Sequence, residues 1–318
     1  MTARRAILAL YLGLALCLAL FHGSIQNFGP RQDDRAERHA QVLSHAGEAP
    51  WTYRLLVPTL AEIVRPVPEG LGASPKDALE ASYLLWQFLF TAALFLAFHR
   101  YLTIWLDPVW ALAANLFFIA LQGPAFAYHW FQPDSLPDLL VWVAAAVLSL
   151  GPPGRRDFWL FPLVLVGAVN RESALFLVAI HGAFRWGREP TKDLCFRGLA
   201  LAACWLVVFL GVRRLVGSHG WAHGGTPWSY FLANITNPDW LLYAASFFGV
   251  LWLAPFVGWG RQPAGLRRLA VLMIPYLALQ FAFGRIREVR LLLPLSLVLI
   301  PLGALWLRSA LLPRGERT

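Results

Sequence analysis

An apolar run from Phe158 to Phe184 is interrupted by Asn170-Arg171-Glu172, and this interruption limits how the chain can fold. A charged group at the bilayer centre costs roughly 2.5–3.5 kcal/mol on insertion scales, so it must face a protein cavity or lie where a helix meets water. Two foldings of the run meet that condition. In one, the run crosses the membrane once, which carries the loop Arg185-Trp186-Gly187-Arg188 through Lys192 and Arg197 to the outside, against the positive-inside rule. In the other, the run is two short segments with the triad at their outer apex, and the basic loop returns to the cytoplasm. The rest of the chain favours the second.

With 58% hydrophobic residues, 14% charged residues and a mean hydropathy of +0.54 over 318 residues, the composition is that of a polytopic membrane protein. Apolar segments fall at about 6–22, 82–98, 109–123, 138–150, 158–169, 173–184, 199–216, 240–257, 269–283 and 291–307. Several are shorter than the ~20 residues of an ordinary span, which predicts that some are buried or re-entrant. The expected fold is all-α, a single transmembrane domain over residues 1–318 with about ten membrane segments. An even number puts both termini on one side. With those termini cytoplasmic, the inner side holds 15 basic and 5 acidic residues, and the outer side 12 basic and 13 acidic. The net charges are then +10 and −1, as the positive-inside rule requires of a bacterial inner-membrane protein. The basic excess reflects topology; no aromatic–basic interleaving points to nucleic acid.

Met1 to Arg5 followed by apolar residues 6–21 has the outline of a signal peptide, but no small-x-small cleavage site follows, so the segment reads as the first helix. Cys17, Cys195 and Cys204 imply no disulfide framework. His219 and His223 lack a nearby third ligand, and no metal site is assigned. No cofactor follows from the motifs, and a divalent cation remains open.

The polar clusters gather on the outer side. The first outer loop, about residues 23–81, carries Arg31-Gln32-Asp33-Asp34-Arg35. It ends in Trp51–Val64, whose length and polar interruptions at Arg54, Thr59 and Glu62 suit an interfacial helix kinked at Pro58. Between the third and fourth segments lies His129-Trp130-Phe131-Gln132-Pro133-Asp134-Ser135-Leu136-Pro137-Asp138. Here Pro137 separates two acids four residues apart, and Asp138 is placed to cap a helix. Gly284-Arg285-Ile286-Arg287-Glu288-Val289-Arg290 puts three guanidinium groups beside one carboxylate; if helical, Arg287 and Arg290 share a face. Arginine offers a rigid fork of donors suited to phosphate, and Glu288 can hold one of the three in place. Arg171 with Glu172 reads as an internal salt bridge or as part of the same site.

A carboxylate can act as general base toward a hydroxyl acceptor, and arginines can stabilise a departing phosphate. The acidic pair after helix one, the interfacial helix and the helical membrane body resemble the GT-C superfamily of polyprenyl-phosphate-dependent glycosyltransferases. Tyr53-Arg54-Leu55-Leu56-Val57-Pro58, Asn170-Arg171-Glu172-Ser173 and Arg287-Glu288-Val289-Arg290 with Pro294 resemble patterns of small bacterial multi-pass proteins. The resemblance implies a GT-C-like fold, a polyprenyl-phosphate-linked sugar donor and membrane lipids as partners, and Asp33 or Asp34 as catalytic base. The chain is small for that superfamily and lacks the soluble C-terminal domain many members carry. The residues themselves nominate Arg54, His129, Asp134, Arg171, Glu172, Arg285, Arg287, Glu288 and Arg290 for the substrate. Two other classes fit the same residues: a transporter or flippase of an anionic lipid-linked substrate, and a non-catalytic subunit of an envelope assembly.

Overall fold

The computed structural model describes residues 3–27, 32–126, 134–220 and 226–311, and these residues form helices with no strand among them. In chain order they are α1 (Ala3–Asn27), α2 (Gln32–Leu43), α3 (Leu56–Val64), α4 (Pro66–Gly70), α5 (Pro75–Leu102), α6 (Pro108–Phe126) and α7 (Ser135–Leu150). Then come α8 (Leu160–Asn170), α9 (Phe176–Arg185), α10 (Thr191–Val216), α11 (Pro227–Thr236), α12 (Pro238–Phe248), α13 (Ala264–Phe283) and α14 (Ser296–Leu311). Among the described residues, six stretches are long and apolar enough to cross a membrane: Arg4–Ser24 of α1, α5, α6, α10, α13, and Val289–Leu311 ending in α14. The protein is therefore membrane-embedded. α7 and the stretch Pro238–Leu253 are apolar but shorter.

Local chemistry sets several helix starts. Ser74 Oγ accepts from the Asp77 amide at 3.2 Å, and Pro75 fills the first helical position of α5, where no amide hydrogen is needed. Thr226 with Pro227, and Asn237 with Pro238, begin α11 and α12 in the same way. The core lies around α5, whose Phe95, Phe98, Tyr101 and Leu102 are buried and which packs on α1 and α7. Burial then sorts the spans. Within its most apolar window α10 is only 6% buried, so its apolar side chains face outward from the protein, whereas the corresponding window of Val289–Leu311 is 89% buried and runs through the interior. Pro294 explains how that inner stretch begins. Its ring would collide with the carbonyl four residues back in an α-helix, and Val289–Leu295 winds instead as a 3₁₀ helix. Tyr276 donates to the Leu291 carbonyl at 2.7 Å and Tyr101 to that of Leu297 at 2.6 Å, satisfying backbone oxygens around the irregular start.

The run 158–184 folds back on itself. Asp157 and Arg185, which bracket it, form an ion pair of 2.5 Å, so α8 and α9 are the arms of a hairpin with Asn170-Arg171-Glu172 at its turn. Arg197 closes on Asp157 at 2.6 Å and on Glu189 at 3.1 Å, tying α10 to the same base. Gly167 permits the close approach of the arms, because a Cβ there would lie 2.9 Å from the Ala174 Cβ. α8 and α9 rise only roughly 16 and 15 Å, so neither arm spans the ~30 Å hydrocarbon core alone.

Two expectations change. Pro58 produces no kink: it sits in the first turn of α3, where its missing amide costs nothing, and the first i to i−4 bond is made by Thr59 to Leu55. Arg287 and Arg290 do not share a helix face. Residues 285–288 are non-helical, leaving Arg287 exposed and Arg290 buried.

Ion pairs segregate as the charge count does. Asp107 meets Arg308, and Asp157 and Glu189 meet Arg185 and Arg197, all assigned to one side. Asp134, Asp138, Glu172 and Glu288 meet arginines assigned to the other. In a cysteine-free background, a thiol at position 71, where Leu71 is 86% exposed, should react with an impermeant reagent added to intact cells. A thiol in place of Ser309 should stay protected until the membrane is opened. Labelling of 309 and not 71 would reverse the orientation.

Candidate functional site

The charge cluster at the hairpin turn is organised around Asp134, which sits immediately before α7 and is 5% exposed. Arg54, at the end of the 3₁₀ turn Trp51–Tyr53, donates to Asp134 Oδ2 at 2.8 Å. Arg171, at the hairpin turn, brings Nε to 3.4 Å of the same oxygen. Arg290, in the 3₁₀ stretch before α14, reaches Asp134 Oδ1 at 3.5 Å and Glu288 at 2.9 Å. Asn170 donates its side-chain amide to the Asp134 carbonyl at 2.7 Å, fixing the backbone that presents the carboxylate. Burial alone would push the Asp134 carboxyl up, but Arg54, Arg171 and Arg290 together hold it below the ordinary aspartate value. Burial would likewise lower Arg171, and Asp134 and Asp138 more than reverse it.

Asp138 completes the arrangement within the first turn of α7, not as the cap of that helix. Pro137 occupies a position before any helical amide bond is required, so Asp134 and Asp138 do stand on one face. Ser173 Oγ lies 2.9 Å from both Asp138 oxygens, and Arg171 Nη1 is 3.6 Å from one of them. Ser135 Oγ accepts from Arg171 at 3.2 Å and from Arg290 at 3.3 Å.

A second polar network joins α2 to α3 and α5. Arg35 pairs with Glu80 at 2.5 Å and lies over the Tyr83 ring. His39 holds Glu62 at 2.7 Å through Nε2 and Tyr83 OH at 3.0 Å through Nδ1. Burial lowers its pKa, against the opposing pull of Glu62. Arg38 sits over Trp51, 4.5 Å from the ring centroid. Between this network and the Asp134 cluster lies a cavity of about 50 Å³, whose walls include Arg35, Arg38, His39 and Tyr83 on one side and Arg54 and Asp134 on the other.

Of the residues nominated from sequence, Arg54, Asp134, Arg171, Glu288 and Arg290 come together. Glu172 does not pair with Arg171; it faces Arg213 of α10 at 3.4 Å. Arg285 stands apart, 5.9 Å from the Tyr230 ring centroid, and Arg287 is exposed. Asp33 and Asp34 fall on the first turn of α2, but their side chains, like the whole of His129, lie outside the described residues. Sequence reasoning read Asp138 only as a helix cap, and it nominated neither Ser135, Ser173 and Arg213 nor the α2 network. The four-residue spacing of Asp134 and Asp138 was a usable signal for Asp138. Among the described residues no three His, Cys, Asp or Glu side chains group to hold a metal ion.

The geometry predicts unequal costs for two carboxyl-to-amide changes. Asp134→Asn leaves buried arginines facing no charge at that position, which typically costs about 3–5 kcal/mol. The detergent-solubilised variant should melt well below the parent or fail to accumulate. Glu172→Gln breaks one partly exposed pair and should cost no more than about 1 kcal/mol. Equal melting of the two variants would dissolve the distinction.

No family model, curated protein or solved structure matches this chain, so what the site does is read from its own residues.

Proposed function

We propose that the protein is a membrane glycosyltransferase of GT-C type. It transfers a sugar from a polyprenyl-phosphate-linked donor to an acceptor on the outer face of a bacterial inner membrane. Both termini are cytoplasmic, and the ten apolar segments form the membrane body, with α8 and α9 entering from the cytoplasmic side and turning back. One observation carries the reading. Arg54, Arg171 and Arg290, from three distant parts of the chain, converge on Asp134 beside the helix that bears Asp33 and Asp34.

In the reaction, Asp34 or Asp33 takes the proton of the acceptor hydroxyl as that oxygen bonds to the anomeric carbon. The bond from the anomeric carbon to the phosphate oxygen breaks, and the lipid phosphate leaves with the electron pair. Positive charge near the leaving phosphate lowers this barrier. Arg171 and Arg290 are largely occupied by carboxylates, so their part is to fix the walls of the site. Arg54, on the cavity side of Asp134, is better placed to meet the donor.

A transport reading draws on the broken helices and on the second polar cluster around Asp157 and Arg185, since alternating access needs polar groups facing both sides. That cluster matches two arginines, Arg185 and Arg197, with two carboxylates, Asp157 and Glu189. Such a balance suits a structural clasp better than a second binding site.

Loss of the base separates the two. Asp34→Asn, or Asp33→Asn where the neighbouring acid is the base, should lower transfer to a hydroxyl acceptor by about 10²–10⁴ while leaving donor binding in place. Full transfer in the double Asn variant removes these acids as the base, whereas donor binding with no transfer by the parent protein favours transport.

A further inference from the structure

We infer that the base of the hairpin is a binding surface for anionic phospholipid headgroups, formed by Arg155, Arg156, Arg188, Lys192 and Arg268. The inference lies outside the glycosyl-transfer reading and holds whichever leaflet this end of the molecule faces.

Unmatched charge is the first ground. The carboxylates of Asp157 and Glu189 are taken up by Arg185 and Arg197, so the clasp itself is closed. The cations around the clasp meet no carboxylate among the described residues. Arg155 and Arg156 are exposed at the start of the 3₁₀ turn Arg155–Trp159, and Lys192 is exposed in the first turn of α10. Arg188 donates to the Leu150 carbonyl at 3.2 Å and Arg268 to that of Trp186, both neutral acceptors. The one other acid of these turns is Asp193, so five cations stand against one carboxylate.

Fixed placement is the second. Arg185 joins Asp157 to the Gly151 carbonyl, and Arg197 brings α10 onto the same carboxylate. Arg268 ties the start of α13 to Trp186. The five cations are therefore gathered by contacts of their own segments, on a frame that side-chain motion alone cannot disperse. Arginine on such a frame offers phosphate a rigid fork of donors.

Depth is the third. α10 and α13 are both long enough to cross a membrane, and Lys192 and Arg268 lie at their N-terminal ends, where a crossing helix leaves the hydrocarbon. Phe158, Trp159 and Trp186 stand beside these cations and are 69%, 63% and 59% exposed. Large aromatic rings at that level are the chemistry of the membrane–water interface. A phospholipid presents its phosphate and the start of its chains at neighbouring depths, and this surface answers with guanidinium groups and aromatic rings together. A soluble anion would leave the rings in water.

The test is native mass spectrometry of the purified full-length protein in detergent, titrated with phosphatidylglycerol or phosphatidylcholine of identical acyl chains. The parent should bind phosphatidylglycerol more tightly. Each cation near an anionic lipid surface is worth about 1 kcal/mol, or about fivefold. Arg155→Gln with Arg156→Gln, and separately Arg188→Gln with Lys192→Gln, should therefore lower phosphatidylglycerol affinity by about tenfold or more and leave phosphatidylcholine unchanged. Arg4→Gln with Arg5→Gln removes the same charge from exposed positions at the start of α1 and should leave the preference intact. Equal loss in that control would reduce the effect to overall charge and overturn the surface. A parent that binds both lipids alike would overturn it too. Glycerol 3-phosphate, a headgroup phosphate without chains, should not compete; competition at matched concentration would assign the cations to a soluble anion and overturn the lipid assignment. All four substituted residues are exposed and outside the clasp, so melting without added lipid should match the parent, and a pair that melts lower yields the decision to the other. Transfer is not measured, so none of these results bears on the glycosyltransferase reading.

Discussion

The arrangement of this bundle depends on one buried carboxylate that needs more than one cation. In lipid, apolar helix faces meet hydrocarbon as readily as they meet each other, so greasy packing selects weakly among rotations and depths. Asp134 selects strongly. Taken out of water, its charge must be matched by well-placed donors, and these come from positions 80 residues earlier and 156 residues later in the chain, as well as from the hairpin turn. Each arginine fixes the height of its own segment against α7. The 3₁₀ stretch before α14, the hairpin turn and the end of the first loop are thereby brought to one level.

At the opposite end Asp157 does comparable work on a smaller scale. Arg185, itself fully buried, also donates to the Gly151 carbonyl at 2.9 Å, so the hairpin base is fastened to the C-terminal end of α7. α7 is therefore clamped at both ends by carboxylate–guanidinium contacts that involve the same hairpin. The two clamps differ in balance. Around Asp157 two arginines meet two carboxylates, whereas around Asp134 the charges continue into a cavity with further arginines on its far wall.

Much of this was legible before any coordinates. The charge count already implied that the run 158–184 turns back, because the alternative would have exported a basic loop. The same count separated the residues that now form ion pairs at the two ends. Arg54, Asp134, Arg171 and Arg290 were recognisable because charge beside apolar segments is costly enough to demand a reason. What the sequence concealed is pairing. Arg171 lies next to Glu172 in the chain, but the turn sends Glu172 toward Arg213 and Arg171 toward Asp134 and Asp138. Arg287 and Arg290 have helical spacing, yet residues 285–288 are not helical, so the two side chains are not aligned. The α2 network was hidden for a different reason: Arg35, His39, Glu62, Glu80 and Tyr83 are ordinary residues of a polar loop and a helix end until tertiary contact pairs them.

The hairpin also ties the protein to the mechanics of its surroundings. By helical rise, its turn stands roughly 20 Å above the Asp157–Arg185 base, against a hydrocarbon slab of ~30 Å. In the proposed topology, with the base at one edge of the slab, the charged turn would fall short of the other edge by about 10 Å. Such a shortfall is met by local thinning of the lipid or by a water-filled recess above the turn. In that topology the effective depth of the Asp134 cluster would be set jointly by the protein and by acyl-chain length, and membrane thickness would tune how wet this end of the molecule is.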